Sequence, residues 1–161
     1  MAGVPNTPKK PTYISSTAST ITIQLYDSNY SDGAPILGYQ VWRDLGDNLS
    51  ELATKETSYD GKSLQYQLTG LTPGVTYKIA SLAFNSEGSS PLSYYVSIAA
   101  TSLPDAPAAL FKDPLKSTNS SVHIYWDRVA DKEMPTTGYI LQAAILGSQN
   151  FETIYDGVDL P

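Results

Sequence analysis

The 161-residue sequence predicts an all-β chain built from antiparallel sheets packed face to face. Three observations carry that prediction. Apolar and polar residues alternate at period two, as on half-buried strands. Eleven glycines and eleven prolines recur as punctuation between the alternating runs. Only 16% of residues are charged, tyrosine stands at twelve, and serine and threonine run throughout, which favours many short strands over long helices.

Residues 1–10 are polar and proline-rich, and read as an extended lead-in. Residues 19–25, Ser-Thr-Ile-Thr-Ile-Gln-Leu, place Ile21, Ile23 and Leu25 on one face of a strand. Residues 29–35 are turn chemistry, residues 38–43 form the next strand, and residues 44–48 turn again. Alternation returns at residues 64–68. A Leu71-Thr72-Pro73-Gly74 turn then feeds a strand that opens on Tyr77. A tyrosine at such a corner can hydrogen-bond back to the turn backbone. Residues 94–101 supply a last strand, giving the roughly seven strands in about 100 residues that a single sandwich requires.

Residues 11–101 resemble a fibronectin type III domain. The segment Leu71-Thr72-Pro73-Gly74-Val75-Thr76-Tyr77 is that family's most recognisable signature, with Leu71, Pro73, Gly74 and Tyr77 in structural roles. Asn85-Ser86-Glu87-Gly88 and Ser90-Pro91-Leu92-Ser93 match the loop before its final strand. The resemblance implies an immunoglobulin-like antiparallel β-sandwich. One departure is that Leu25 stands where the family carries a core tryptophan, and Trp42 sits on the following strand with the opposite parity. Residues 102–107, with prolines at 104 and 107, look like the family's inter-repeat linker, stiffened by its two rings.

The pattern restarts in residues 108–161, as an internal repeat does. Residues 122–126 align with 21–25 and put Trp126 at the family's tryptophan position, while residues 138–141 align with 38–41 and match Tyr139 to Tyr39. Residues 151–157 correspond to the region before the fifth strand. The expectation is one complete copy and one partial copy, the latter with strands A to C′ only. Its inner face, with Val122, Ile124, Trp126, Tyr139 and Leu141, would lack opposing strands, and half a core does not fold stably alone. Either the chain is a portion of a longer protein, or another chain donates the missing strands.

Composition narrows function. Net charge is −6 with no basic stripe, which disfavours nucleic acid and anionic membrane surfaces as partners on electrostatic grounds. No run approaches the ~20 apolar residues of a membrane helix, so no membrane insertion is expected in this segment. Cysteine is absent, which removes disulfides and thiol nucleophiles. His123 is the one histidine, on the outward parity of its strand, and a lone histidine builds neither a zinc site nor a credible triad. The acids at Asp27 and Asp32, at Asp44 and Asp47, and at Asp127, Asp131 and Glu133 lack calcium-loop spacing and read as solvated turn formers. No catalytic residue, cofactor or metal is expected.

Two features point to a positive role. Asn-x-Ser sequons at Asn29, Asn48 and Asn119 fall in predicted loops, where N-linked glycans are tolerated, and push toward an extracellular home. With Tyr39 and Val41 facing inward, Trp42 faces out. With Tyr77, Ile79 and Ala83 inward, Leu82 and Phe84 face out beside it, forming an apolar contact face for a partner. The leading expectation is a non-catalytic repeat module of a long extracellular or cell-surface protein, acting as spacer, filament or adhesion element. Its partners would be other repeats or subunits of the same protein. The alternatives are an accessory spacer of a carbohydrate-active enzyme and an intracellular cytoskeletal scaffold.

Overall fold

A computed structural model of the chain describes residues 2–28, 33–47 and 51–157. It divides into two compact units, Met1–Leu103 and Pro104–Pro161. The first unit carries eight strands: β1 (Thr12–Ser16), β2 (Ile21–Gln24), β3 (Gly38–Arg43), β4 (Thr54–Lys55), β5 (Gln65–Leu68), β6 (Thr76–Asn85), β7 (Gly88–Ser89) and β8 (Val96–Ala99). One sheet runs β1-β2-β5. The other runs β4-β3-β6-β7, with β8 also paired to β6. Every pairing is antiparallel.

Alternation drives the packing. Ile21 and Ile23 on β2 are fully buried, and Leu25 continues their face. On β5 the glutamines Gln65 and Gln67 are exposed while Tyr66 and Leu68 point into the same core. Val41, Tyr77, Ile79 and Ile98 close it from the second sheet. Each fully buried aliphatic side chain contributes about 1.5–3 kcal/mol relative to exposure.

The corner before β6 is held by a few bonds. The Thr72 N–H donates to the Tyr77 hydroxyl at 3.0 Å, and the Gly74 N–H donates to the Ala100 carbonyl at 2.8 Å. Gly74 has φ 76°, a conformation that a Cβ disfavours. The last strand is interrupted, because Pro91 cannot donate to a ladder. Two buried serines bridge the gap. The Ser90 and Ser93 N–H groups donate to the carbonyls of Ala83 and Ser81, both at 2.8 Å. Their hydroxyls accept from the N–H groups of those same two residues, both at 3.1 Å. The regular strand therefore begins only at Val96, leaving Tyr94 and Tyr95 outside the expected 94–101 strand and exposed.

The segment expected to be a lead-in is packed. Pro5 and Pro11 are fully buried, the Asn85 side-chain amide donates to the Gly3 carbonyl at 2.7 Å, and the Ser28 hydroxyl donates to the Asn6 carbonyl at 2.7 Å.

The second unit contains two hairpins. β9 (Leu110–Lys112) pairs with β10 (Ile124–Trp126), and β11 (Ile140–Ala143) pairs with β12 (Glu152–Asp156). Among its described residues only Gly157 is buried. Val122 lies ahead of β10 and is 65% exposed, while Ile124, Trp126, Tyr139 and Leu141 are half-buried.

Local geometry in this unit parallels the first. The Val129 N–H donates to the Tyr139 hydroxyl at 2.9 Å, as the Ser28 N–H donates to the Tyr39 hydroxyl at 3.4 Å. Glu56-Thr57-Ser58-Tyr59-Asp60-Gly61 and Glu152-Thr153-Ile154-Tyr155-Asp156-Gly157 differ at one position. In both, the closing glycine is backbone-bonded to the strand tyrosine, Tyr39 N–H to Gly61 carbonyl at 2.8 Å and Gly157 N–H to Tyr139 carbonyl at 2.9 Å.

Candidate partner-contact site

The outer face of β3 and β6 is built by register. Gly38 opposes Phe84, Gln40 opposes Leu82, and Trp42 opposes Ala80 across the pair, with Lys55 of β4 on the other side of Trp42. The Trp42 indole N–H donates to the Gln40 side-chain carbonyl at 3.3 Å, laying the ring along the sheet. Trp42 and Phe84 are half-buried. Leu82, expected to be exposed, is 8% exposed and Ala80 is fully buried, so Leu82 is not part of an open contact face. The reason is position: β6 is an interior strand, paired to β3 on one side and to β7 and β8 on the other. What remains open is the edge of Trp42 and Phe84.

A second exposed group was not anticipated. Lys10, Tyr94 and Tyr95 line a shallow groove, and the Lys78 ammonium sits 5.7 Å from the Tyr95 ring centroid. Strand alternation over 94–101 would turn one of the two rings inward, whereas both precede β8 and are exposed.

Charged and phenolic groups serve structure. The Arg43 guanidinium holds Glu56 at 2.5 Å and lies 5.5 Å from the Tyr77 ring centroid. Tyr39 donates to the Asp27 carboxylate, and burial together with that bond pushes its hydroxyl up to about 12. Burial, with the Asp60 charge, also raises Tyr59, and burial raises Tyr66. Asp44, expected as a solvated turn former, is instead fully buried. It ends β3 against β6, where its Oδ1 accepts from the N–H groups of Lys78 at 3.0 Å and Gly46 at 3.2 Å, in place of a ladder carbonyl.

His123 is exposed, 4.0 Å from the Asp113 carboxylate. Among the described residues no group of three or more His, Cys, Asp or Glu side chains is arranged to hold a metal, and no helix is long and apolar enough to cross a membrane. Asn119 is exposed in the connection between β9 and β10, beside a Thr118 N–H to Ser121 carbonyl bond of 2.9 Å. Asn29 and Asn48 lie outside the described residues.

Human fibronectin type-III domain-containing protein 3A is 34% identical over 103 residues, covering 62% of this chain and 8% of that protein's length. The chain thus spans a small fraction of that relative. A structure of titin domains A168–A170 superposes at TM-score 0.53 with 16% identity, over 62% of this chain and 33% of that one. The sixth fibronectin type III domain of human fibronectin type III domain containing protein 3 superposes at TM-score 0.51 with 21% identity, over 66% of this chain and 96% of that domain. The fibronectin type III domain model matches residues 6–99. Asn6 and Pro11 of the packed segment fall within the matched region, and the chain belongs to the fibronectin type III domain family.

Proposed function

We propose that residues 108–161 are a second, partial copy of the repeat in residues 11–101, joined through the linker 102–107. The chain then acts as a non-catalytic repeat module of a long extracellular or cell-surface protein, a spacer, filament or adhesion element. Its partners are other repeats or subunits of the same protein. Fibronectin type III domains are generally non-catalytic structural or adhesion modules. The observation that carries the copy reading is the shared Glu-Thr-x-Tyr-Asp-Gly motif, bonded through its glycine to Tyr39 in one unit and Tyr139 in the other. The extracellular home is supported by the exposed sequon at Asn119. The contact role is supported by the open edge of Trp42 and Phe84.

Two measurements test this reading together. Beads coated with the chain are expected to cluster, and Trp42→Ala to reduce clustering without a comparable loss of unfolding stability. Native material is expected to carry sugar at Asn119 by intact mass. Beads that never cluster, with bare asparagines, would favour the intracellular scaffold; a catalytic domain encoded beside this segment would favour the enzyme spacer.

A further inference from the structure

The Pro-x-x-Pro spacing occurs three times in the chain, at residues 5–8, 8–11 and 104–107. Its settings differ. Pro5, Pro8 and Pro11 are buried, whereas Pro104 and Pro107 are exposed, together with Leu103, Asp105 and Ala106. Each proline fixes its own φ, and each pushes the residue before it toward extended backbone. From Leu103 to Pro107, only Asp105 is free of both constraints. A polyproline II ribbon has three residues per turn, which sets Pro104 and Pro107 on one edge about 9 Å apart and turns Asp105 to another. Little conformational freedom is left to lose when such a ribbon docks.

The first unit carries a groove of matching chemistry. Lys10, Tyr94 and Tyr95 line it, with Tyr94 at 88% exposure and Tyr95 at 50%. The Lys78 ammonium over the Tyr95 ring brings a second positive charge. The groove belongs to the closed unit and is anchored on both sides. The Ser93 N–H bond to the Ser81 carbonyl fixes the chain just before Tyr94, and β8 fixes it just after Tyr95. Adjacent exposed phenol rings suit the flat ring of a proline, and the ammonium groups suit a carboxylate between two prolines.

We infer that the groove of Lys10, Tyr94 and Tyr95 is a docking surface for the Leu103–Pro107 segment of a second copy of this chain. Pro104 and Pro107 lie on the tyrosine rings. The Asp105 carboxylate exchanges Lys132, its partner at 2.8 Å, for Lys10; an exposed ion pair of this kind yields readily. The inference rests on the reading that the partners are other repeats or subunits of the same protein. Charge complementarity and exposure pick the occupant, since the prolines of the other two spacings are sealed. Within one chain, β8 carries the backbone away from the groove over Val96–Ala99, about 13 Å, before the segment begins. Docking between copies is then head to tail, each copy offering its segment to the groove of the next.

The test adds a capped synthetic peptide of residues 101–110 to the full chain and follows backbone amide shifts by NMR. Expected are saturable shifts confined to Lys10, Tyr94, Tyr95 and their neighbours, at one peptide per chain. Tyr94→Ala should weaken binding about tenfold, and it should leave the unfolding midpoint unchanged, because the ring is exposed. A peptide carrying Pro104→Ala and Pro107→Ala should also bind about tenfold more weakly. Lys10→Gln should lower the affinity and its salt dependence together. In sedimentation the chain alone should gain mass with concentration, and the peptide should reverse that gain. Equal binding of the alanine peptide would overturn recognition of the proline ribbon. Absence of shifts at the tyrosines would overturn the groove. Coated beads that still cluster with Tyr94→Ala would do so as well, while leaving the same-protein reading intact. Tyrosine shifts caused by Pro104→Ala and Pro107→Ala in the chain itself, at every concentration alike, would put the segment on its own groove and overturn the second copy.

Discussion

The two units use similar strands to different effect. In the first, β2 and β5 present one face to β3, β6 and β8, and the aliphatic residues between them reach near-zero exposure. In the second, two hairpins form with sound backbone pairing, yet only Gly157 among the described residues is buried. Local alternation and turn chemistry suffice for hairpins, whereas a core needs the second layer. The Glu-Thr-x-Tyr-Asp-Gly motif differs in the same way within six residues: Tyr59 packs edge-on against the buried Tyr66, whereas Tyr155 stays on β12 opposite Leu141, 6.4 Å from the half-buried Trp126 ring.

The comparison breaks most readily at matched core positions. Ile23→Ala should cost the first unit about 2–5 kcal/mol in urea unfolding, since a sealed site cannot collapse fully. Ile124→Ala, already wetted, should cost less than about 1 kcal/mol; equal losses would mean the second unit has a core of its own. Gly46 and Gly147 sharpen the contrast next, with φ 79° and 88° respectively. A Cβ on Gly46 would stand 2.4 Å from Val75 Cγ1 and 2.8 Å from Tyr77 Cε1, while one on Gly147 meets nothing within 4 Å. Gly46→Ala should therefore lose about 2–3 kcal/mol and Gly147→Ala about 1 kcal/mol, the backbone cost alone.

Alkaline pH separates the units through the first one's buried phenols. Tyr39 is raised from 10.0 to about 12, and Tyr59 and Tyr66 are raised as well. A raised folded value means that the unfolded chain ionises first. Their contribution is fully present below pH 10 and is lost as pH climbs through about 12. The urea midpoint of the first unit should fall over that window, and Tyr39→Phe should flatten the fall. The smallest effect is at the corner. Tyr77→Phe leaves the Thr72 N–H without its acceptor and should cost about 1 kcal/mol, against a few tenths for Tyr139→Phe, where water can replace the hydroxyl at Val129.

Much of this was legible in the sequence. The alternation of Ile21, Ile23 and Leu25 and of Tyr66 and Leu68 announced the two faces of the core, and the turn before Tyr77 announced the corner. β1 escaped because Thr12–Ser16 is nearly all exposed and carries no alternation. The burial of Pro5 was hidden because prolines near a terminus look the same free or docked. Asp44 was misread because a carboxylate that replaces a ladder carbonyl depends on a neighbour 34 residues away. At the contact face, parity puts Trp42 and Phe84 on the outer side but could not show that Leu82, on a strand paired along both edges, is only 8% exposed.

Amide hydrogen exchange on the intact, unaccompanied chain tests the contrast most directly. Amides of β2, β3 and β6 should exchange only through global opening of the first unit, while those of β10 and β11 should exchange within a small factor of unstructured chain. Equally slow exchange in both units would contradict the account.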